Sequence, residues 1–283
     1  MTTVGQALEE SVQTLRRSEI DEAHLDARLI VAHGLNMTTQ QVFGYPEKQL
    51  EDGDLERIRK LIARRSQHEP VALITGEKEF WSLLFKVSAA TLIPRPDSET
   101  LIETVLAAQP DKKASLRILD LGTGSGCLLL ALLHEYENAT GVGIDFSEDA
   151  LKVARFNGEN LGLGGRADFT QANWNNPIPG CAGFDVIISN PPYVAENDRG
   201  TLAPDVVEYE PDSALFAGHD GLREYKTIIA LLVDLTTVTG NVFFEVGINQ
   251  ADAVAGMLEK AGLRDISIHP DLTGIGRCVA AKM

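Results

Sequence analysis

The stretch from Leu116 to Leu133 constrains the fold of this chain more than any other. Leu116-Arg117-Ile118-Leu119 is a short apolar run, Asp120-Leu121-Gly122-Thr123-Gly124-Ser125-Gly126 is a glycine-rich turn, and Cys127 to Leu133 is an apolar helix. Strand, glycine turn and helix in that order make the nucleotide-cradling unit of α/β proteins, because glycine reaches φ > 0 and lets a ligand approach the backbone. A second strand, Thr140-Gly141-Val142-Gly143-Ile144, ends in Asp145. That acid lies about 20 residues past the glycines, where a ribose-binding acid belongs. The expected class is α/β, with ligands at the C-terminal edge of an open sheet.

Two kinds of cofactor fit this unit. A dinucleotide fold wants G-x-G-x-x-G/A, which would put Cys127 at the third glycine position. Here the third glycine comes one residue early, at Gly126, and an acid, Asp120, precedes the turn. That form suits S-adenosylmethionine better: it has no pyrophosphate, a ribose diol for Asp145, and an ammonium for an acidic or carbonyl-rich neighbourhood. Beyond a helix from about Glu148 to Leu161 and a third strand near Ala167 to Thr170 comes Gln171-Ala172-Asn173-Trp174. Asn173 can pair with an adenine edge and Trp174 can stack on the ring, or Trp174 can simply be core.

A second constellation, Asn190-Pro191-Pro192-Tyr193, directly follows the β-branched run Phe184 to Ser189, so it sits at a strand's C-terminal end. Two prolines stiffen the turn and withhold two N–H donors. With the Asn190 side-chain oxygen, the carbonyls form an acceptor-rich pocket suited to gripping an –NH2 group, and Tyr193 offers a flat face. An ordinary proline turn is the alternative.

The first seventy residues have helical periodicity. Val4, Leu8, Val12 and Leu15 share one face of residues 4–16; Leu25, Leu29 and Ala32 point inward from Asp21 to Ala32; a short helix follows Thr38-Thr39; and Leu55, Ile58, Leu61 and Ile62 are buried between Asp54 and Gln67. The basic run Arg57, Arg59, Lys60, Arg64 and Arg65 is either a solvated helix face or a docking surface for an acidic partner or RNA. Next, Trp81, Leu83, Phe85 and Val87 alternate as in a half-buried strand, with Thr91-Leu92-Ile93 as its hairpin partner. In Ile93-Pro94-Arg95-Pro96-Asp97-Ser98-Glu99, Asp97 or Ser98 should cap the helix Glu99 to Ala108. Arg95 has either a functional role or an ion pair tying two domains together.

The formal net charge of -16 repels phosphate backbones and weighs against a large nucleic-acid footprint. Cys127, Cys181 and Cys278 have no metal-like spacing and are expected to be core residues or free thiols in a reducing compartment. No apolar stretch is long enough to span a bilayer, and Glu9 and Glu10 sit where a signal peptide would be apolar, so a cytoplasmic protein with no metal is expected.

These motifs resemble the HemK-type class I S-adenosylmethionine-dependent methyltransferases. That family methylates the side-chain nitrogen (N5) of the Gly-Gly-Gln glutamine in peptide chain release factors. The resemblance is carried by Glu69 to Ala72, Gly76, Glu79 to Leu83, Ile93 to Glu99, Asp120 to Gly126 and Asn190 to Tyr193. It continues through Glu208 to Pro211, Glu245-Val246-Gly247 with Gln250, and Asp271 to Gly274 with Arg277. It implies a mostly parallel seven-stranded Rossmann-like sheet with an antiparallel last strand. A helical bundle at 1–72 for substrate docking and a β-hairpin connector at 73–96 would precede a methyltransferase domain at 97–283. Gly122, Thr123, Gly124, Ser125, Gly126, Asp145, Asn173, Trp174 and Asn190 are implied to hold the cofactor, which leaves as S-adenosylhomocysteine. Asn190, Pro191, Pro192, Tyr193 and Arg95 are implied to meet the substrate. The family often has Asp at the position of Asn173, whose amide oxygen is expected still to accept from the adenine amino group. A release factor is the expected partner, a monomer the expected state, and no nucleic-acid substrate is expected. The alternatives are adenine-N6 or guanine-N2 methylation of RNA or DNA, glutamine methylation of a ribosomal protein, a non-catalytic nucleoside-binding module, and an NAD-linked oxidoreductase without its catalytic His or Lys/Tyr.

Overall fold

The computed structural model describes residues 2–176, 178 and 182–283, which leaves Cys181 outside. The chain forms two compact units, Met1–Glu77 with Ala203–Tyr209, and Lys78–Leu202 with Glu210–Met283.

The first unit is helical: Val4–Arg17, Ala23–Gly34, Thr39–Gly44, Asp52–Arg65, Val71–Thr75 and Pro204–Tyr209. Thr3 and Thr38 begin two of these helices with capping boxes closed by Gln6 and Gln41, each satisfying two orphan backbone donors. In Ala23–Gly34 the inward face runs through Ala23, Ala27, Ile30 and Val31, whereas Leu25 is 41% exposed. Alanine lets neighbouring helix backbones come closer than leucine does, so the buried stripe follows the small residues and not Leu25. The basic run is matched inside this unit: Arg57 pairs with Asp54, Arg59 with Glu10, Lys60 with Glu56, Arg64 with Glu69 and Arg65 with Asp26. Its charge is spent on local pairs, the bland of the two readings.

From Lys78 on, the second unit carries most of a hairpin, β1 (Glu77–Phe80) and β2 (Leu83–Lys86). Trp81 and Ser82 are its two-residue turn, at φ +51° and +57°, the tight mirror-image turn that suits the twist of paired strands. The expected half-buried strand is β2, with Phe85 inward, but it begins after Trp81, and its hairpin partner is β1 and not Thr91 to Ile93. Trp81 is held at the turn by its backbone N–H on Glu99 Oε1 (2.9 Å) and its Nε1 on Glu135 Oε1 (2.8 Å), while Thr91 closes a turn on Ser88. Ser98 holds the expected N-cap position, though without a capping side-chain bond. Pro96–Ser98 is a 3-10 turn leading into Glu99–Ala108.

The sheet follows: β3 (Arg117–Leu121), β4 (Thr140–Asp145), β5 (Ala167–Gln171), β6 (Phe184–Ser189), β7 (Thr236–Glu245), β8 (Arg264–Pro270) and β9 (Gly276–Lys282). Their order is β5-β4-β3-β6-β7-β9-β8, with β9 antiparallel to both neighbours and the other pairs parallel. Edge strand β8 was not legible in the sequence because its side chains are mostly exposed and do not alternate. The two faces are covered by separate cores, one around Ile118, Val186 and Phe243, the other around Leu119, Ile187 and Phe244. Gly143 in β4 answers to packing: a Cβ there would lie 2.7 Å from the Phe169 ring.

The chain leaves β3 toward β4 on one side and returns to β6 on the other, so the switch in strand order lies between β3 and β6. Leu121 is level with Ser189, whose Oγ donates to the Leu121 carbonyl at 2.6 Å. Gly122 and Asn190 consequently emerge side by side. Asn157, fully buried on helix Glu148–Asn160, accepts from Lys86 N and donates to Lys86 O and Ser125 O. It ties the hairpin to the glycine turn. Among the described residues no helix is long and apolar enough to cross a membrane.

Candidate active site

A cavity of about 500 Å³ opens at this switch point. Its lining contains Arg95, Gly122, Thr123, Gly124, Ser125, Asp145, Asn173, Trp174, Asn190 and Pro192. Ten of the sequence-derived site residues, from five separate stretches, thus meet around one space. Gly126, Pro191 and Tyr193 are not part of the lining. A Cβ on Gly126 would touch Ala154, Leu130 and Phe169, so that glycine serves helix packing. Pro191 is buried, and the Tyr193 ring packs on Gly247 while its carbonyl accepts from Gln250 Nε2 at 2.9 Å.

The glycine turn selects against an anion. Gly122 N and Thr123 N donate to the Ile144 carbonyl, Gly126 N donates to the Thr123 carbonyl, and Gly124 N donates to Asp145 Oδ2. Those donors are spent inside the protein and cannot cradle a pyrophosphate. Beneath the turn, Asp120 is fully buried with Oδ2 on Thr123 Oγ1 (2.7 Å) and Oδ1 without a partner. Burial pushes its carboxyl up to about 7, against the Thr123 hydrogen bond and helped by the nearby Asp145 charge. Two acids close together favour a cationic ligand over a phosphate.

S-adenosylmethionine fits these residues. Gly124, at φ +55°, has nothing within 4 Å of where a Cβ would stand, so the cavity floor is bare. The Asp145 carboxylate faces the cavity, with one oxygen on Gly124 N and the other on Ser147 N (2.9 Å). Each oxygen keeps a lone pair for a diol. Phe146, 47% exposed, also lines the cavity. Sequence reasoning missed it, although an aromatic directly after the ribose acid was there to be seen. Trp174 is 9% exposed, its ring edge against Gly122 and its Nε1 on Glu224 Oε2 (2.8 Å), so the indole is largely core with one side toward the cavity.

Asn173 departs from the expected geometry. Its Oδ1 accepts from both Asn175 N and Asn175 Nδ2, at 2.9 Å each. The oxygen meant for adenine is thereby occupied by an Asx turn, and an Asp here would carry a second, free oxygen. Asn173→Asp is therefore expected to tighten S-adenosylmethionine binding several-fold, one added hydrogen bond being worth about 1 kcal/mol; titration calorimetry checks it, and unchanged or weaker binding would refute it.

Arg95 is held by Glu210, whose other oxygen accepts from Ile93 N at 3.1 Å. Both lie in the second unit, so this ion pair does not join the two units. Asp97 pairs with Arg277 (3.0 Å), which also contacts Asp271 (3.3 Å). Asn190 Nδ2 lies 3.4 Å from Ser98 Oγ, and the buried carboxyl of Glu245, one residue past the level of Ser189, stands beside them. Among the described residues nothing donates to Asn190 Oδ1 or to the Pro191 carbonyl. Cys127 and Cys278 are unbridged, and burial pushes each thiol up to about 12, which leaves them inert at neutral pH.

A glycine turn with its donors spent, a carboxylate facing the cavity with lone pairs to spare, and an acceptor corner at the same switch point fit a class I S-adenosylmethionine-dependent methyltransferase. Residues 6–76 match the PrmC N-terminal domain family and residues 112–218 match a methyltransferase domain family. The chain is 39% identical to the release factor glutamine methyltransferase of Rhodospirillum rubrum, over 99% of this chain and 85% of that one. With the enzyme of the same name from Vibrio cholerae it shares 38% identity, over 97% of this chain and 95% of that one. The hMettl16 catalytic domain, solved with an RNA hairpin, shares the fold with a TM-score of 0.58 at 17% identity, covering 78% of this chain and 81% of that one. The chain belongs to the release factor glutamine methyltransferase family.

Proposed function

We infer that this chain transfers a methyl group from S-adenosylmethionine to the side-chain amide nitrogen of the glutamine in the Gly-Gly-Gln motif of peptide chain release factors, and so modulates translation termination. The observation that carries the reading is the placement of Asn190, with its oxygen uncommitted, on the cavity that also holds Asp145. Asp145 would hold the ribose diol, Phe146 and Trp174 would flank the base, and Asn173 and Asn175 would border its edge. When bound, the cofactor supplies an electrophilic methyl on a good leaving group.

The chain's own residues supply geometry and charge. A glutamine amide nitrogen is a poor nucleophile because its lone pair is delocalised into the carbonyl. Asn190 Oδ1 and the Pro191 carbonyl would accept its two hydrogens, fix its direction of attack and favour the positive charge that develops on it. Pro192 stiffens that corner, and Tyr193, anchored on Gly247 and Gln250, would keep it from turning. Arg95, fixed by Glu210, borders the entrance for the substrate peptide. No base is required before transfer, since the proton becomes acidic only as the bond forms and can leave to water. We place the enzyme in the cytoplasm, working on soluble release factor, with the helical unit 1–72 as docking element.

Mass spectrometry of the release-factor peptide containing Gly-Gly-Gln, after incubation with and without the enzyme, tests the reading. A gain of one methyl group on that glutamine is expected. An unmodified peptide, with label appearing in ribosomal RNA instead, would discard it.

A further inference from the structure

We propose that Glu245 is a positioning residue for methyl transfer: its carboxylate takes the amide NH2 of Asn190, turning Oδ1 toward the substrate nitrogen, and protonation of Glu245 releases that hold. The inference rests on the assignment of Asn190 as the acceptor. Glu245 ends β7, and Phe244 is level with Ser189, so Glu245 and Asn190 stand next to each other at the C-terminal sheet edge. The residue is 1% exposed, and its Oε2 has no partner among the described atoms. A buried acid with spare acceptor capacity is costly to keep, and packing alone would be better served by an apolar residue.

The chemistry of the two amide atoms makes the position directional. An ionised carboxylate can only accept, so facing Asn190 it must receive an Nδ2–H, and a planar amide then presents Oδ1 to the other side. A protonated carboxyl carries a donor of its own and can turn to Oδ1, the atom that the substrate needs. Ser98 completes the cluster, its oxygen 3.4 Å from Asn190 Nδ2 and its hydroxyl holding the neighbouring Glu245 carboxyl down against the effect of burial. The two protonation states of Glu245 therefore favour opposite orientations of Asn190.

Burial pushes the Glu245 carboxyl up to about 7, opposed by the Ser98 hydroxyl, the Arg277 charge and Asn190, and aided by Asp97. The other groups facing it are Tyr193, Tyr225, Cys127 and Cys278, all pushed above their ordinary values by burial and so neutral near pH 7. Asp120, also pushed to about 7, is the competing titration in the same unit.

The test is the pH dependence of kcat for release-factor methylation, with both substrates saturating, in the wild type, Glu245→Gln and Ser98→Ala. The wild-type rate should rise with pH through a midpoint near 7, because the carboxylate is the productive form. Glu245→Gln should lower kcat by about tenfold or more through a misaligned acceptor, leave the cofactor Kd unchanged and flatten the profile. Ser98→Ala should move the midpoint upward, since its hydroxyl stabilises the carboxylate; a purely structural role would not shift a midpoint. The proposal is overturned if Glu245→Gln keeps the wild-type rate or the wild-type midpoint, the latter assigning the titration to Asp120. It is equally overturned if the Ser98→Ala midpoint stays in place, and that variant decides the matter should Glu245→Gln not fold. A wild type that methylates no release-factor glutamine at any pH overturns the substrate assignment, and this proposal with it.

Discussion

Replacing Asn190 with alanine should lower kcat for release-factor methylation by about 10²–10³-fold, the usual cost of deleting one preorganised polar group aimed at developing charge. Substrate binding should suffer less, because most of the peptide's contacts lie away from this atom. The cofactor Kd should change only a few-fold: Asp145 and the glycine turn are held by their own backbone bonds, none of which involves Asn190. Single-turnover rates at saturating cofactor, with calorimetry for cofactor affinity, separate these effects. Alanine also removes the partner of Ser98 beside Glu245, so the melting temperature of the variant has to be read beside its rate. Turnover within a few-fold of wild type would remove Asn190 from the mechanism.

The complementary expectation concerns Asp145. Asp145→Ala should weaken S-adenosylmethionine binding by about 10²-fold, since hydrogen bonds to a charged group contribute roughly 1.5–3 kcal/mol each and the ribose diol would lose two. The same change strips the acceptor from Gly124 N and Ser147 N, loosening the turn and the start of the helix Glu148–Asn160 together. Asp145→Asn should fall between the two, because an amide keeps one oxygen and cannot serve both backbone donors and the diol. With cofactor saturating, kcat of either variant should recover to near wild type, opposite to the Asn190→Ala pattern. A Kd unchanged in Asp145→Ala, measured by calorimetry on folded protein, would move the ribose elsewhere.

That the glycine turn, Asp145, Asn173 and Trp174 line one cavity was legible because they are close in sequence and each follows a strand end. The third glycine at Gly126 correctly argued against a pyrophosphate ligand, and the structure supplies the reason: the turn's N–H groups are spent on Ile144, Thr123 and Asp145. Errors arose where a local pattern was outweighed by packing. Alternation from Trp81 to Val87 suggested a strand, yet Trp81 occupies the turn because Glu99 and Glu135 hold it there. Leu25 matched a helical stripe, yet the alanines beside it let the bundle close on another face.

Spacing along the chain determined the α/β class and put the glycine turn, Asp145 and the Asn190–Tyr193 corner at strand ends, since each is a short-range pattern set by backbone geometry within one strand–turn unit. Only the tertiary structure decided what stands behind the tetrad: Ser98 on Asn190 with Glu245 beside them, and Glu210 on Ile93 and Arg95. Those partners lie on separate strands and loops, and strand order, which no local pattern encodes, brought them to one edge of the sheet. There burial, absent from the linear sequence, raises an ordinary glutamate into the range where it titrates near neutrality.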